Sequence, residues 1–288
     1  MSSTVEKRQR FRSLHQSGCF VIPNPWDVGT TRFLQHLGFS ALATTSAGFA
    51  FSQGRPDGGV PREMMLNHIR TIVESTELPV NADFEGGYAI EPEGVAESVR
   101  LCVATGVAGL SIEDSTGDPA NPLYDIALAT ARVRAARKAI DAAGGGVLLT
   151  GRAECFFVGK PDLDDAITRL KAYSEAGADC LYAPGIRTPE QISAVVAAVA
   201  PKPVNVLVGS ASPLTVEGLA GLGVRRISVG GGLAMVAWAG FVQAATQLAQ
   251  SGTFDGFLAT RPPADLNSIF REDLRMRTAA PPAEERHV

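Results

Sequence analysis

Cysteine is scarce in this chain of 288 residues, with only Cys19, Cys102, Cys155 and Cys180, and no two of them stand in CxxC spacing. That pattern excludes a thiolate zinc site and a disulfide framework, so the cytoplasm is the expected compartment. An excess of either charge is also missing: 26 basic residues face 30 acidic ones, a net of −4. No broad basic surface is available for nucleic acid, and no polybasic signal for a membrane. The basic N-terminus MSSTVEKRQRFRSLHQSG has no apolar core of secretory length. The turn after the first strand, Pro23-Asn24-Pro25, has none of the glycines that a dinucleotide-binding fold places there. From Ile227 to Phe254 there is no charged residue at all. Gly230, Gly231, Gly232, Gln243, Gln247 and Gln250 interrupt that stretch, which is expected to be a strand followed by a helix buried on both sides rather than a membrane span. Small molecules and further copies of the chain are the expected partners.

What is present is alternation. Short apolar runs, Cys19 to Ile22 the first, alternate with segments of helical spacing such as Val28, Phe33, Leu34 and Leu37 before Gly38. Strands are expected to end near Thr45, Asp83, Asp114, Glu154, Ala183, Val208 and Val229. The helices between them include Pro92 to Thr105, Ile126 to Ala143, Asp162 to Ala176, Thr188 to Val199, Pro213 to Leu222 capped by Ser212, and Leu233 to Gln250. About eight such units with short connections predict one (β/α)₈ TIM-type barrel over residues 1–252, entered by a short leader. Residues 253–288, with paired prolines and a helical candidate around Leu266 to Leu274, are expected to form an arm packed on the barrel or on a neighbouring subunit, its last residues disordered.

In such barrels the reactive groups sit at the C-terminal strand ends. In VNADFEGGYA, Asp83 and Glu85 lie two apart on an extended chain and point to one side before Gly86 and Gly87. The neighbouring strands end on Glu113 and Asp114, and on Arg152 and Glu154. Two acids in one cavity repel unless a cation separates them, and an all-oxygen cluster suits Mg²⁺ or Mn²⁺. Arg152 would meet the negative charge of a substrate, or form an internal ion pair with Glu85, Glu113 or Glu154. The loop Ser46, Ala47 and Gly48 could bring backbone N–H groups to a carboxylate, and Asp57 lies in a polar segment just beyond it. Cys155 is expected to be a core residue. Gly209, Ser210 and Gly230 to Gly232 suit either a phosphate site or close packing.

TTSAG, GRPDGG, NADFEGGY, SIEDSTGDPANPLYD and GRAE, in this order between about Asn24 and Gly232, resemble the isocitrate lyase and phosphoenolpyruvate mutase superfamily. The resemblance implies a Mg²⁺-dependent enzyme that makes or breaks a C–C or P–C bond beside an α-keto or α-hydroxy acid. It implies Asp83, Glu85 and Glu113 as the metal acids, Asp57 as the acid of a mobile loop, Ser46, Ala47 and Gly48 as the carboxylate holders, and Arg152 as the catalytic arginine. Glu154 is expected beside the substrate. The lyases of the family carry a KxCGH-type signature after strand four, where this chain reads STGDPANPLYD. The chemistry expected without it is cleavage beyond C3 of a 2-keto or 2-hydroxy diacid, oxaloacetate decarboxylation being the plainest case, with Tyr124, Tyr88 or a water as proton donor. Hydrolysis of oxaloacetate or phosphonopyruvate, a phosphate-binding barrel and a non-catalytic keto-acid-binding protein are the alternatives. The resemblance further implies a homotetramer in which the last barrel helix is exchanged between subunits.

Overall fold

The computed structural model describes residues 2–257 and 265–279. Eight parallel strands run in sequence order around one sheet: β1 Phe20–Ile22, β2 Leu42–Ala43, β3 Val80–Asp83, β4 Gly109–Glu113, β5 Leu148–Arg152, β6 Cys180–Tyr182, β7 Val204–Leu207 and β8 Arg226–Ser228. β1 pairs with β8, and the seam between β1 and β2 is drawn together by the Ala43 N–H donating to the Pro23 carbonyl at 3.0 Å. The result is the expected (β/α)₈ barrel.

The helices are α1 Thr4–Leu14, α2 Val28–His36, α3 Ser46–Ser52, α4 Arg62–Glu74, α5 Pro92–Val103, α6 Ile126–Ala142, α7 Leu163–Glu175, α8 Pro189–Val199, α9 Val216–Gly221, α10 Gly232–Ser251 and α11 Leu266–Ala279. Alternate strand residues such as Val80, Ala82, Leu110, Ile112, Leu149 and Val206 face the helices, where they are buried against Ile69, Val99, Val133 and Ile192. The other faces turn toward the barrel axis. There Asn81, Ser111, Asn205 and Arg226 line the space below the mouth, in place of the branched apolar layers usual in this fold.

Three expectations change. The leader is a helix: Ser3 and Glu6 close a capping box on α1, and Phe11 is wholly buried with Ile22, Ala41, Ala43, Ala108, Leu148 and Cys180 as a floor under the barrel. Its basic outer face masked this, because one aromatic on a charged helix carries most of the burial. The seventh barrel helix begins at Val216, capped by Thr215, while Ser212 only closes a turn onto the Leu214 N–H at 3.1 Å. α10 is not buried on both sides in the single chain. Only Ala234 and Ala244 are covered, and Val236 is 73% exposed and Phe241 63%. By length and composition alone this helix could cross a membrane. The arm is helical where it is described, and α11 lies on α2 with Asp273 at 3.4 Å from Arg32. The tail expected to be disordered, residues 280–288, lies outside the described residues.

Candidate active site

Arg152 ends β5 and stands at the centre of the mouth. Its Nη1 donates to Asp83 Oδ1 at 2.7 Å, its Nη2 lies 3.0 Å from Glu113 Oε2, and its Nε donates to Glu154 Oε1 at 2.8 Å. The Tyr182 ring, from β6, lies 5.2 Å below the guanidinium. Register explains the convergence: Glu113 pairs with Arg152 across β4 and β5, and Asp83 pairs with Ser111 across β3 and β4. Burial works against the charge on Arg152, but Glu113, Glu154 and Asp83 outweigh it and hold the proton more firmly than usual. The expected internal ion pairing of Arg152 is present with Glu113 and Glu154, though not with Glu85, and the side chain also lines the cavity.

The second oxygen of Asp83 accepts from the Ser46 N–H and the Ser46 hydroxyl, both at 2.9 Å. Ser46, Ala47 and Gly48 are not a loop. They form the first turn of α3, with Thr45 as its cap, and the Gly48 N–H is taken by Thr45 Oγ1 at 3.2 Å. Of the expected carboxylate cradle, Gly48 is buried, while Ala47 and Ser46, the latter already serving Asp83, line the cavity. Small side chains signalled close approach correctly, but what approaches Ser46 is Asp83. Asp57 reaches the site from the loop after α3, its Oδ1 3.5 Å from Ser46 Oγ. Burial first, and then Asp83, push its carboxyl above the ordinary range.

Glu85 takes a left-handed conformation, φ 48°, and so does Tyr88 at 58°. Neither is a glycine, and such backbone is usually found where surrounding structure imposes it at a working site. Arg132, wholly buried on α6, imposes it here by donating to the Gly86 carbonyl and, at 3.0 Å, to the Ala89 carbonyl. The turn aims Glu85 into the cavity, where Tyr88 donates to it at 3.1 Å. Burial, and then Asp83, push Glu85 up to about 7. Glu113 is also raised well above the carboxylate range, chiefly by burial.

One of the strand-end acids lies elsewhere. Asp114, 2% exposed, faces away from the mouth and accepts from the Glu154 N–H, Arg169 and the Tyr173 hydroxyl. Glu154, 1% exposed, accepts from Arg152 Nε at 2.8 Å and borders the same cavity as Glu85 and Glu113. Tyr124 lines an adjoining cavity of about 480 Å³ together with Glu85 and Glu113, and its ring lies 4.0 Å beneath Arg132. Sequence reading missed Arg132, Arg169, Tyr173 and Tyr182. All four reach their partners across distances that no local spacing encodes. Cys155 is buried with its thiol pushed up to about 12, first by burial and then by Asp165, as suits a core residue.

Close packing accounts for Gly232 and Gly209 on the opposite side. A Cβ at Gly232 would lie 2.8 Å from the Gly209 carbonyl oxygen, and the N–H groups of Val229 and Gly230 are already taken by Asn24 Oδ1. Those donors do not await a phosphate.

The acids fit a hard cation in their chemistry. Asp57, Asp83, Glu85 and Glu113 gather at one mouth, all oxygen donors, with the Arg152 guanidinium paired to Asp83 and Glu113. No cation among the described residues is bonded to Glu85, whose carboxyl is raised first by burial and then by Asp83. Among the described residues, no three acidic, histidine or cysteine side chains already converge as an ion's ligand set, because Arg152 lies between Asp83 and Glu113.

Comparison with known proteins agrees with this arrangement. The family model for phosphoenolpyruvate phosphomutase matches residues 11–249. A solved structure described as a lyase/mutase from Burkholderia cenocepacia J2315 is 47% identical, with a TM-score of 0.89 over 93% of this chain and 97% of that one. The structure of an oxaloacetate acetylhydrolase in complex with the product oxalate is 26% identical, TM-score 0.82, over 96% and 99%. An oxaloacetate decarboxylase of Rhodopseudomonas palustris (strain BisA53) is 32% identical over 140 residues, 46% of each chain. With barrel, strand-end acids and family model in agreement, this chain belongs to the phosphoenolpyruvate phosphomutase family of the isocitrate lyase and phosphoenolpyruvate mutase superfamily, and is an enzyme of its lyase type.

Proposed function

We propose that the enzyme cleaves the C–C bond beyond C3 of a small 2-oxo or 2-hydroxy dicarboxylic acid, with oxaloacetate decarboxylation to pyruvate as the plainest case. The observation that carries this reading is the Arg152 guanidinium fork fixed between Asp83, Glu113 and Glu154 at the rim of an acid-rich cavity. Oxaloacetate is the substrate class in the names of two of the relatives above. Asp83, with Glu85 and Glu113, would hold Mg²⁺ or Mn²⁺, which when bound supplies Lewis-acid polarisation of the C2 oxygen.

The chain's own residues do the rest. Glu154 and Tyr182 hold Arg152 in one orientation, so its Nη groups need no reorganisation when charge develops on the substrate oxygen. Ala47 and the Ser46 hydroxyl border the place for the substrate carboxylate. Asp57, on an exposed loop, closes over that place and excludes water. Tyr88 is occupied with Glu85, which leaves Tyr124, on the same cavity, as the proton donor to the enolate carbon. The loop from Ser115 to Asp125 bonds largely to itself, Thr116 Oγ1 to the Asn121 carbonyl among others, and brings no lysine, cysteine or histidine.

The test is a panel of oxaloacetate, phosphonopyruvate and methylisocitrate with Mg²⁺ and then with chelator, read as pyruvate, oxalate, succinate and phosphate. Pyruvate from oxaloacetate that stops on chelation is expected. Turnover indifferent to chelator, or phosphate as the sole product, would overturn the reading.

We also propose that the exposed apolar face of α10 is covered by further copies of the chain, in a cytoplasmic homo-oligomer. Light scattering should give a multiple of 30.2 kDa, and Val236→Glu should lower it. A monomer in both cases would refute this.

A further inference from the structure

Beside the charged mouth lies a compartment the proposed chemistry does not use. It occupies about 430 Å³, against about 120 Å³ for the mouth itself. Its walls are Phe51, Ile186, Leu207, Leu214, Val229 and Met235, and Arg187 is the one charged side chain on it. The two spaces share Ala47, Leu207, Phe157 and Gly231, so a ligand seated between Ala47 and Arg152 can extend directly into the second. A four-carbon diacid would leave this apolar volume to water. An alkyl substituent entering it would gain about fourfold in affinity per buried methylene.

We propose that this compartment is a specificity subsite for an apolar substituent of the substrate, several carbons long, carried on the far side of the C2 carbonyl. The inference rests on the lyase reading above and narrows it: the acid group and C2 are handled by the Arg152 side, and the identity of the substrate is set by Leu207, Leu214 and Met235. Charge placement supports it. Every acid of the site lies at the ends of β3 to β5 or in the loop after α3, so a cationic tail would find no carboxylate on these walls, and an anionic one would find Arg187 alone among charged side chains.

Oxamate is an isostere of pyruvate that cannot be cleaved, and N-alkyl oxamates place a chain where the substituent would go. Isothermal titration with Mg²⁺ present compares oxamate with its N-ethyl, N-butyl and N-hexyl derivatives. Affinity should rise with chain length, N-butyl oxamate binding at least about tenfold tighter than oxamate. Ala211→Trp, on an exposed loop of the compartment, should remove that gain while leaving oxamate itself unaffected, its folding checked by circular dichroism. Oxamate that binds with no gain from the chain would overturn the subsite and leave the lyase reading standing. If neither oxamate nor its derivatives bind, both fall. If Ala211→Trp splits an oligomer and spares the alkyl gain, the groove is a packing surface between copies and the proposal is wrong.

Discussion

The two halves of the barrel mouth are built from the same strand-to-loop geometry and carry opposite chemistry. From β2 to β5 the strand ends and loops supply Asp57, Asp83, Glu85, Glu113 and Glu154 with Arg152 among them. From β6 to β8 the corresponding stretches, Tyr182 to Arg187, Leu207 to Ser212 and Ser228 to Gly232, contain no acid at all. The first half buries like charges at a cost, Glu85 and Glu113 being pushed upward first by burial and then by their acidic neighbours, and structure elsewhere must hold it together. Arg132 and the Asp114, Arg169 and Tyr173 cluster do so from behind. The second half stores no such strain, and its glycines serve the contact between Gly232 and Gly209. On the proposed reading, reaction and selection are separated across one opening.

The largest effect expected is that of Asp83→Ala. It removes the carboxylate that ties Arg152 to Ser46, and turnover of oxaloacetate should fall by about 10³-fold or more, with circular dichroism unchanged. Arg152→Lys comes next. A lysine keeps the charge but cannot meet Asp83, Glu113 and Glu154 with separate donors of one rigid fork, so kcat/KM should fall about 10²-fold. If either variant retains normal turnover, the division of labour across the mouth is wrong.

On the quiet half the expected loss is of stability. Gly232→Ala would push a methyl against a backbone oxygen at 2.8 Å, and overpacking of this kind costs about 1–3 kcal/mol. A lowered Tm with kcat changed less than about threefold would sharpen the contrast. A large fall in kcat at unchanged Tm would break it.

How much of this was legible in the chain follows the range of each interaction. The alternation of strand and helix is local, and so were the barrel and the acids at its strand ends, since a two-residue period fixes which face Asp83 takes. The leader was not, because Phe11 alone carries α1 into the barrel floor while Arg8, Arg10 and Arg12 around it suggest a solvated segment. Asp114 looked like a companion of Glu113, yet adjacent strand residues face opposite sides, and its partners Arg169 and Tyr173 come from α7. The helical turn of Ser46 to Gly48 was hidden by small residues that serve equally in loops. α10 reads as buried in sequence because its composition suits burial, yet among the described residues little packs on its outer face, and Val236 and Phe241 stay exposed.

The smallest effects give the sharpest comparison, because one substitution can be made on both sides. Ser46→Ala removes the hydroxyl that donates to Asp83 at 2.9 Å but leaves the Ser46 N–H on the same oxygen. A hydrogen bond to a charged group contributes about 1.5–3 kcal/mol, so kcat should fall by about tenfold or somewhat more. Ser210→Ala makes the same change on an exposed loop after β7, where the nearby N–H donors of Val229 and Gly230 are held by Asn24. It should move kcat and KM by less than about twofold. A tenfold rise in KM at Ser210→Ala would mean that an anionic part of the substrate is read on the β6 to β8 side, and the separation of charge from selection would have to be given up.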